Sequence, residues 1–286
     1  MKGKFISISI LSILLFWDFG LSVTHIQAAK QEILLMPWNQ VNEILPRYSK
    51  FTVIDMDTGK KFQVQRRAGS RHADVQPLTK KDTIIMKEIY HGKWSWRRRS
   101  VIIQNGSKKI AASMHGMPHG AGALDNNFPG HFCIHFYGST THRTNNMDLS
   151  HKLMILKASN QLENYLASAD PYEVIRSYVA GFKEHDNEIT RLISMQTVHW
   201  KSAFGRIETV RISRMPIYPV EDLAHELYLS IPVNIEWYLK DSGPMKINSN
   251  VILIRASQME PWKIDSQSFL ENNEFPNKLK EKSLSN

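Results

Sequence analysis

The alternation of apolar and polar residues predicts two antiparallel hairpins in the first half of the chain. Residues 51–66 alternate on both sides of the turn sequence Asp57-Thr58-Gly59, which is typical of a hairpin. Two further alternating stretches, 94–104 and 110–114, are separated by Asn105-Gly106, a dipeptide that favours tight hairpin turns. The stretch Gly130 to Phe136, GHFCIHF, is predicted to be another buried strand. We therefore expect a β-rich, mainly antiparallel N-terminal half.

Periodicity near 3.6 residues predicts helices elsewhere, and long alternating segments predict strands near the end of the chain. The predicted helices cover residues 79–91, 148–167, 171–182 and 187–195, with a linker or short helix over 30–47. Asp170 and Pro171 supply the N-cap and first-turn proline of one of them. The predicted strands cover residues 205–215, 226–240, 245–257 and 261–264. Helices followed by a long antiparallel sheet resemble the order of elements in NTF2-like (cystatin-like) α+β folds.

These elements predict two domains of different composition. The composition changes near Ala169, which predicts a β-rich domain over 48–168 and an α+β, NTF2-like domain over 169–269. Residues 270–286 are polar and are predicted to form a tail.

The N-terminal residues 1–29 have the pattern of a secretory signal peptide. Lys2 and Lys4 precede an uncharged, mostly apolar run from Phe5 to Trp17, and small residues follow at Ala28 and Ala29. That run is shorter than the roughly 20 residues that span a membrane. We expect a secreted or cell-wall protein without a membrane span after signal removal, or one held by an uncleaved N-terminal anchor.

Composition and charge agree with a folded, exported protein that meets an anionic partner. Hydrophobic residues make up 42% of the chain and the net charge is +9, which excludes an intrinsically disordered chain and favours an anionic partner. In an exported protein that partner is predicted to be peptidoglycan or an anionic wall polymer. Nucleic acid is not expected, although the segment WSWRRR at 94–99 combines aromatic and basic residues.

Cys133 is the one cysteine of the chain, so an internal disulfide is excluded and a free thiol is indicated. Residues two apart on a strand share a face, so His131, Cys133 and His135 are predicted to point away from the core. Cβ atoms two apart on a strand are roughly 7 Å apart, whereas a base must approach the thiol to about 3 Å. A histidine from another element is therefore expected to serve as the base, and the glycine-rich segment that begins at His115 offers His115 and His119.

Histidines are concentrated in the predicted N-terminal domain. Of the 12 histidines, eight lie between residues 72 and 151: His72, His91, His115, His119, His131, His135, His142 and His151. Titratable chemistry is therefore assigned to this domain.

The pair of segments His115-Gly116 and Gly130-His131-Phe132-Cys133 resembles the motif of the YkuD-type L,D-transpeptidases, in which His-Gly is followed by Ser/Thr-His-Gly-Cys. This chain differs from that motif at Gly130, Phe132 and His135. The family consists of exported bacterial enzymes that cross-link peptidoglycan stem peptides without a cofactor. The resemblance implies that Cys133 is the nucleophile, His115 its base, and His131 a group that orients the thiol. It places Gly116, His119, Phe132 and His135 at the substrate or oxyanion positions.

Two other functions remain open from the residues alone. His72, Asp74, His131 and His135 are ligand types of an open catalytic zinc site, which predicts a zinc-dependent murein peptidase. A non-catalytic wall-binding protein is the other alternative.

Overall fold

The computed structural model describes residues 32–141 and 146–275 and shows a β-rich, mixed α+β architecture with antiparallel sheets. The predicted signal peptide and His142 lie outside the described residues, as does the end of the polar tail. In the described part of the chain, no helix is both long and apolar enough to cross a membrane.

Six of the seven strands of the first half form a sheet that closes on itself, and the seventh, the short first strand, is added at its side. The strands of this half are β1 Ile33–Leu34, β2 Lys50–Asp55, β3 Lys61–Ala68, β4 Ala73–Pro77, β5 Arg98–Asn105, β6 Lys108–His115 and β7 Phe132–His135. Their order is β1-β6-β5-β2-β3-β4-β7, and β7 also pairs with β6, which closes the sheet. The pairings are antiparallel except that of β1 with β6. Both predicted hairpins, β2–β3 and β5–β6, are confirmed.

The inside of the closed sheet is filled by the apolar residues that alternate along its strands. Val53, Val75 and Ile103 are fully buried there, as are Phe132 and Ile134 of β7. Full burial of such a side chain contributes about 1.5–3 kcal/mol relative to exposure. Because Phe132 and Ile134 occupy the core, the intervening Cys133 points to the outer face, as the period of a strand requires.

Two helices pack on this core: α1 Trp38–Ile44 and α2 Lys80–Ile89. The predicted start of α2 is confirmed, because Thr79 and Asp82 form a reciprocal capping box. Asp82 also accepts a hydrogen bond from the backbone of Gln63 at 2.7 Å, which fixes α2 to β3.

The second half of the chain contains the other helices and a four-stranded sheet. The helices are α3 Leu149–Ala158, α4 Leu162–Ala167, α5 Pro171–Glu184, α6 Asn187–Ile193, α7 Trp200–Arg206 and α8 Ser266–Asn272, with a 3₁₀ turn at Val220–Leu223. The strands are β8 Ile207–Arg214, β9 Tyr228–Leu239, β10 Gly243–Ile254 and β11 Lys263–Ile264, in the order β11-β10-β9-β8.

Helices of the second half pack directly on the first sheet. Ile155 and Ala158 of α3 contact Ala111 of β6, and Ser100 of β5 donates to the carbonyl of Met154 at 2.8 Å. Other residues of α3 join the core of the four-stranded sheet. Helix α3 therefore contributes to both apolar cores, and the predicted division after residue 168 stays a prediction.

Several predicted elements differ in extent from those observed. The helix predicted over 148–167 is two helices, because Asn160 adopts a left-handed conformation with φ of 58° between them. Residues at the predicted start of the tail are ordered: α8 extends to Asn272, and Leu270 and Phe275 are buried. Strand β4 and helix α7 were not predicted.

Candidate functional site

The candidate site is built on the outer face of β4 and β7, where these strands pair. Asp74 of β4 lies opposite Cys133 of β7, so both side chains point to the same side of the sheet. The Sγ atom of Cys133 lies 3.6 Å from Oδ1 of Asp74. Only 4% of Cys133 and 7% of Asp74 is exposed, so the two groups interact with little screening by solvent.

The loop between β6 and β7 folds back and brings His119 to the thiol. The backbones of His119 and His131 exchange two hydrogen bonds of 2.9 Å each. This places Nε2 of His119 3.3 Å from Sγ of Cys133. The other ring nitrogen, Nδ1, lies 3.1 Å from the carbonyl of Met117. A proton on Nδ1 satisfies that carbonyl and directs the Nε2 lone pair at the thiol, which is the geometry of a general base.

Glycine is required where the loop meets β7. Gly130 has a φ of 128°, and a Cβ there would lie 2.5 Å from the carbonyl oxygen of His119. Gly120 also has a positive φ, and a Cβ there would overlap the His131 ring. The glycine-rich segment therefore permits the close approach that sets the contact between His119 and Cys133.

Further histidine rings surround this pair. His131 packs on His119 with ring centroids 4.4 Å apart, and His115 lies 5.2 Å from His119. On the other side, His135 lies 4.5 Å from His72 and 3.8 Å from His151. The thiol is thus enclosed mainly by imidazoles.

The indole of Trp96 closes one side of the cluster. Its ring lies 4.7 Å from that of His115 and 5.5 Å from that of His119, and 51% of the residue is exposed. Trp96 therefore marks the side at which the cluster meets solvent.

Burial keeps three of these imidazoles neutral. Burial, reinforced by neighbouring positive charges, lowers the pKa of His115, His135 and His151 well below the ordinary histidine value. Nδ1 of His151 has a partner in the Ser113 hydroxyl at 2.9 Å. Nδ1 of His115 and Nδ1 of His135 are buried without a hydrogen-bond partner.

The environment of Cys133 favours the thiol over the thiolate. Burial raises the pKa of Cys133 well above its usual range, and the carboxylate of Asp74 raises it further. The resting side chain is therefore a protonated thiol, and nucleophilic reactivity requires a base such as His119 to accept the proton.

Asp74 is itself held by a histidine. Nε2 of His72 lies 3.2 Å from Oδ1 of Asp74, and Nδ1 of His72 lies 2.9 Å from the carbonyl of Thr140. His131 is more distant, with Nε2 4.0 Å from the same Asp74 oxygen. Asp74 therefore joins the thiol to the His72 side of the cluster.

Among the described residues, three sets of side chains offer metal-ligand atoms within 4.8 Å of one another, and each set includes Cys133. They are Cys133 with His115 and His119, Cys133 with His72 and His135, and Cys133 with Asp74 and His131.

The structure brings together nearly all of the residues that the sequence proposed for the site. Cys133, His115, His119, His131, His135, His72 and Asp74 lie in one cluster. The resemblance assigned the role of base to His115, but the ring in contact with Sγ is that of His119, because the loop folds back onto β7.

Two residues of the predicted oxyanion or substrate set, Phe132 and Gly116, lie against aromatic rings. The Phe132 ring points into the core against Phe62 and Phe128, so it does not fill the site. Gly116 lies against the Tyr90 ring, which a Cβ would overlap.

His151 and Trp96 also belong to the cluster, although the sequence did not place either beside Cys133; His151 was a candidate ligand of a separate metal site with His142 and Asp148. His151 lies in the helical stretch predicted over 148–167, three and four residues before the buried Met154 and Ile155, and this helical spacing was the signal that could have indicated a buried position.

Comparisons of this chain with protein-family models, with curated proteins and with solved structures found no match.

Proposed function

We propose that this protein is an exported cysteine acyltransferase of the L,D-transpeptidase kind that acts on peptidoglycan stem peptides. The observation that supports it most directly is the 3.3 Å contact between Sγ of Cys133 and Nε2 of His119. A nucleophile in contact with a base, and a base oriented by a third group, is the arrangement used in nucleophilic catalysis. Here the third group is the carbonyl of Met117, 3.1 Å from Nδ1.

In the proposed reaction, Nε2 of His119 accepts the thiol proton while Sγ attacks a peptide carbonyl carbon. The C–S bond forms and the carbonyl oxygen gains negative charge. Collapse of this intermediate breaks the C–N bond, and the leaving amine takes the proton from His119. A second amine then attacks the thioester to form a cross-link, or water attacks it to give hydrolysis. The attacking group gives a proton to His119, the C–S bond breaks, and the thiolate takes that proton back. A positioned base of this kind contributes typically 10²–10⁴-fold to the rate.

His115 is the proposed donor to the developing oxyanion. One of its ring nitrogens lies within 4.8 Å of both Sγ and the His119 nitrogen. Because burial holds the pKa of His115 low, its ring is neutral and carries one N–H to donate. His131, 20% of whose side chain is exposed, packs on His119 and is proposed to hold the base in place.

The sequence supports the proposed substrate and location. The signal-peptide pattern of residues 1–29 supports export, and the net charge of +9 suits peptidoglycan and anionic wall polymers. The second half of the chain is proposed to be an NTF2-like module, supported by the observed order of helices followed by the four-stranded sheet.

The test is incubation of the protein with intact murein and with purified muropeptides, followed by mass spectrometry. We expect new cross-links or cleaved stem peptides, and a thioester adduct on Cys133. Cys133→Ser should abolish both, and His119→Gln should lower the rate by at least about 100-fold. His225→Ala is the matched control, since His225 is exposed and far along the chain from the cluster.

Two results would refute this proposal. Activity that survives Cys133→Ser but is lost to a chelator would assign the function to a zinc-dependent murein peptidase. Binding of the protein to the wall without any change in covalent bonds would identify a non-catalytic wall-binding protein.

A further inference from the structure

The described cluster contains more nitrogen and sulfur ligands than an acyl-transfer mechanism needs. One thiol and one base suffice for that chemistry, yet six imidazoles and a carboxylate lie around Cys133. Neutral imidazoles together with a cysteine are the ligands that zinc-type ions prefer.

The contact between the thiol and His119 has the length of one edge of a tetrahedral metal site. Bond lengths of about 2.0–2.3 Å to nitrogen and sulfur place neighbouring ligand atoms about 3.3–3.8 Å apart in a tetrahedron. The Sγ atom of Cys133 and Nε2 of His119 are 3.3 Å apart. A ring nitrogen of His115 lies within 4.8 Å of both. An ion can therefore join these three atoms after small side-chain rotations.

The set with His115 and His119 combines an unused nitrogen with a 3.3 Å contact between Nε2 of His119 and the thiol. Nδ1 of His115 is buried without a hydrogen-bond partner, and only 4% of the residue is exposed. A buried polar atom of this kind is costly unless a ligand or partner satisfies it. In the set with His72 and His135, Nδ1 of His135 is also without a partner, but both nitrogens of His72 already face oxygen atoms, those of Asp74 and Thr140.

We propose that Cys133, His119 and His115 bind a divalent zinc-type ion, with Cys133 as a thiolate ligand and a water in the fourth position. The metal site deepens the proposed function, and its regulatory part, inhibition of acyl transfer by the bound ion, rests on that proposed function. On binding, the S–H bond breaks, the S–metal bond forms, and the proton leaves to solvent, so no redox partner is required. Because the ion occupies both the nucleophile and the base, the metal-bound protein cannot carry out acyl transfer.

Cobalt(II) titration of the chelator-treated, full-length protein tests the ligands without any activity assay. We expect a thiolate-to-cobalt charge-transfer absorption that Zn²⁺ abolishes by displacement. Cys133→Ser should remove the absorption, and His115→Ala should weaken binding by at least about tenfold. His225→Ala should bind as the wild type does, and circular dichroism of each variant checks that it folds.

Absence of the absorption in folded wild-type protein would overturn the proposal, even if murein is still cross-linked. Loss of binding in His135→Ala but not in His115→Ala would overturn the ligand assignment. For the regulatory part, an equimolar amount of Zn²⁺ should stop acyl transfer and a chelator should restore it. Metal binding by a protein that never modifies murein would leave the site standing while the proposed function fails. Stimulation by Zn²⁺ would overturn the inhibitory role.

Discussion

Replacing Asp74 by Asn should make the Cys133 thiol more reactive. The Asp74 carboxylate lies 3.6 Å from Sγ and opposes ionisation of the thiol. At an effective dielectric constant of about 20, two unit charges 3.6 Å apart repel by about 4–5 kcal/mol. This corresponds to a change of about 1,000-fold in the thiolate population, which is an upper limit because His72 lies beside the same carboxylate. We expect the thiolate population near neutral pH to rise by about 10–100-fold.

The assay is the rate of alkylation by iodoacetamide in metal-free protein across a range of pH. Because the fraction of thiolate controls the rate, Asp74→Asn should alkylate faster than the wild type at each pH below the wild-type pKa. Asp125→Asn is the matched control, since 89% of the Asp125 side chain is exposed and it forms an ion pair with Lys80. An unchanged or slower rate in Asp74→Asn, with Asp125→Asn like the wild type, would refute the electrostatic coupling between Asp74 and Cys133.

Two further predictions concern stability. Burial, followed by the charge of Arg97, lowers the pKa of His185 to about 4, so the folded state disfavours its charged form. The contribution of the neutral His185 ring to the free energy of unfolding is present above pH 6.5 and is lost as the pH falls from 6.5 to about 4. Over this pH range, the free energy of unfolding measured in urea should decrease by about 1–2 kcal/mol more in the wild type than in His185→Asn, a value reduced for the partial exposure of His185. Equal decreases in the two proteins would contradict this reasoning. Thr79→Ala removes the N-cap of α2 and should lower the free energy of unfolding by about 1 kcal/mol, and no change would show that the capping box contributes little.

Elements with local signals could be predicted from the sequence. The turn Asn105-Gly106 specifies the β5–β6 hairpin, and Thr79 with Asp82 specifies the start of α2. Strand β4 could not be predicted with the same ease, because it has only five residues and pairs with distant β3 and β7. The alternation of Ala73 and Val75 with polar neighbours was its one local signal.

Helix α7 shows a different limit of sequence reasoning. Its seven residues are too few to be stable alone, and they are held by the packing of Trp200 and Phe204 on Phe182. Such tertiary contacts leave no periodic pattern in so short a segment.

The sequence predicted which residues form the site but not which of them contact one another. The period of a strand placed Cys133 opposite the core, and this is confirmed by burial of Phe132 and Ile134. Sequence separation could not decide whether His115 or His119 contacts the thiol. The choice is made by the loop backbone, which pairs His119 with His131.

The pairing of strand β7 bears on when the site forms during folding. It is hydrogen-bonded to β6 on one side and to β4 on the other, and Cys133 and Asp74 are 59 residues apart in the chain. Closing so long a loop is slower than forming either hairpin, since loop-closure entropy opposes pairing of distant segments. We therefore infer that the Cys133 thiol stays accessible to small reagents while the hairpins form and becomes enclosed once β7 pairs with both β4 and β6.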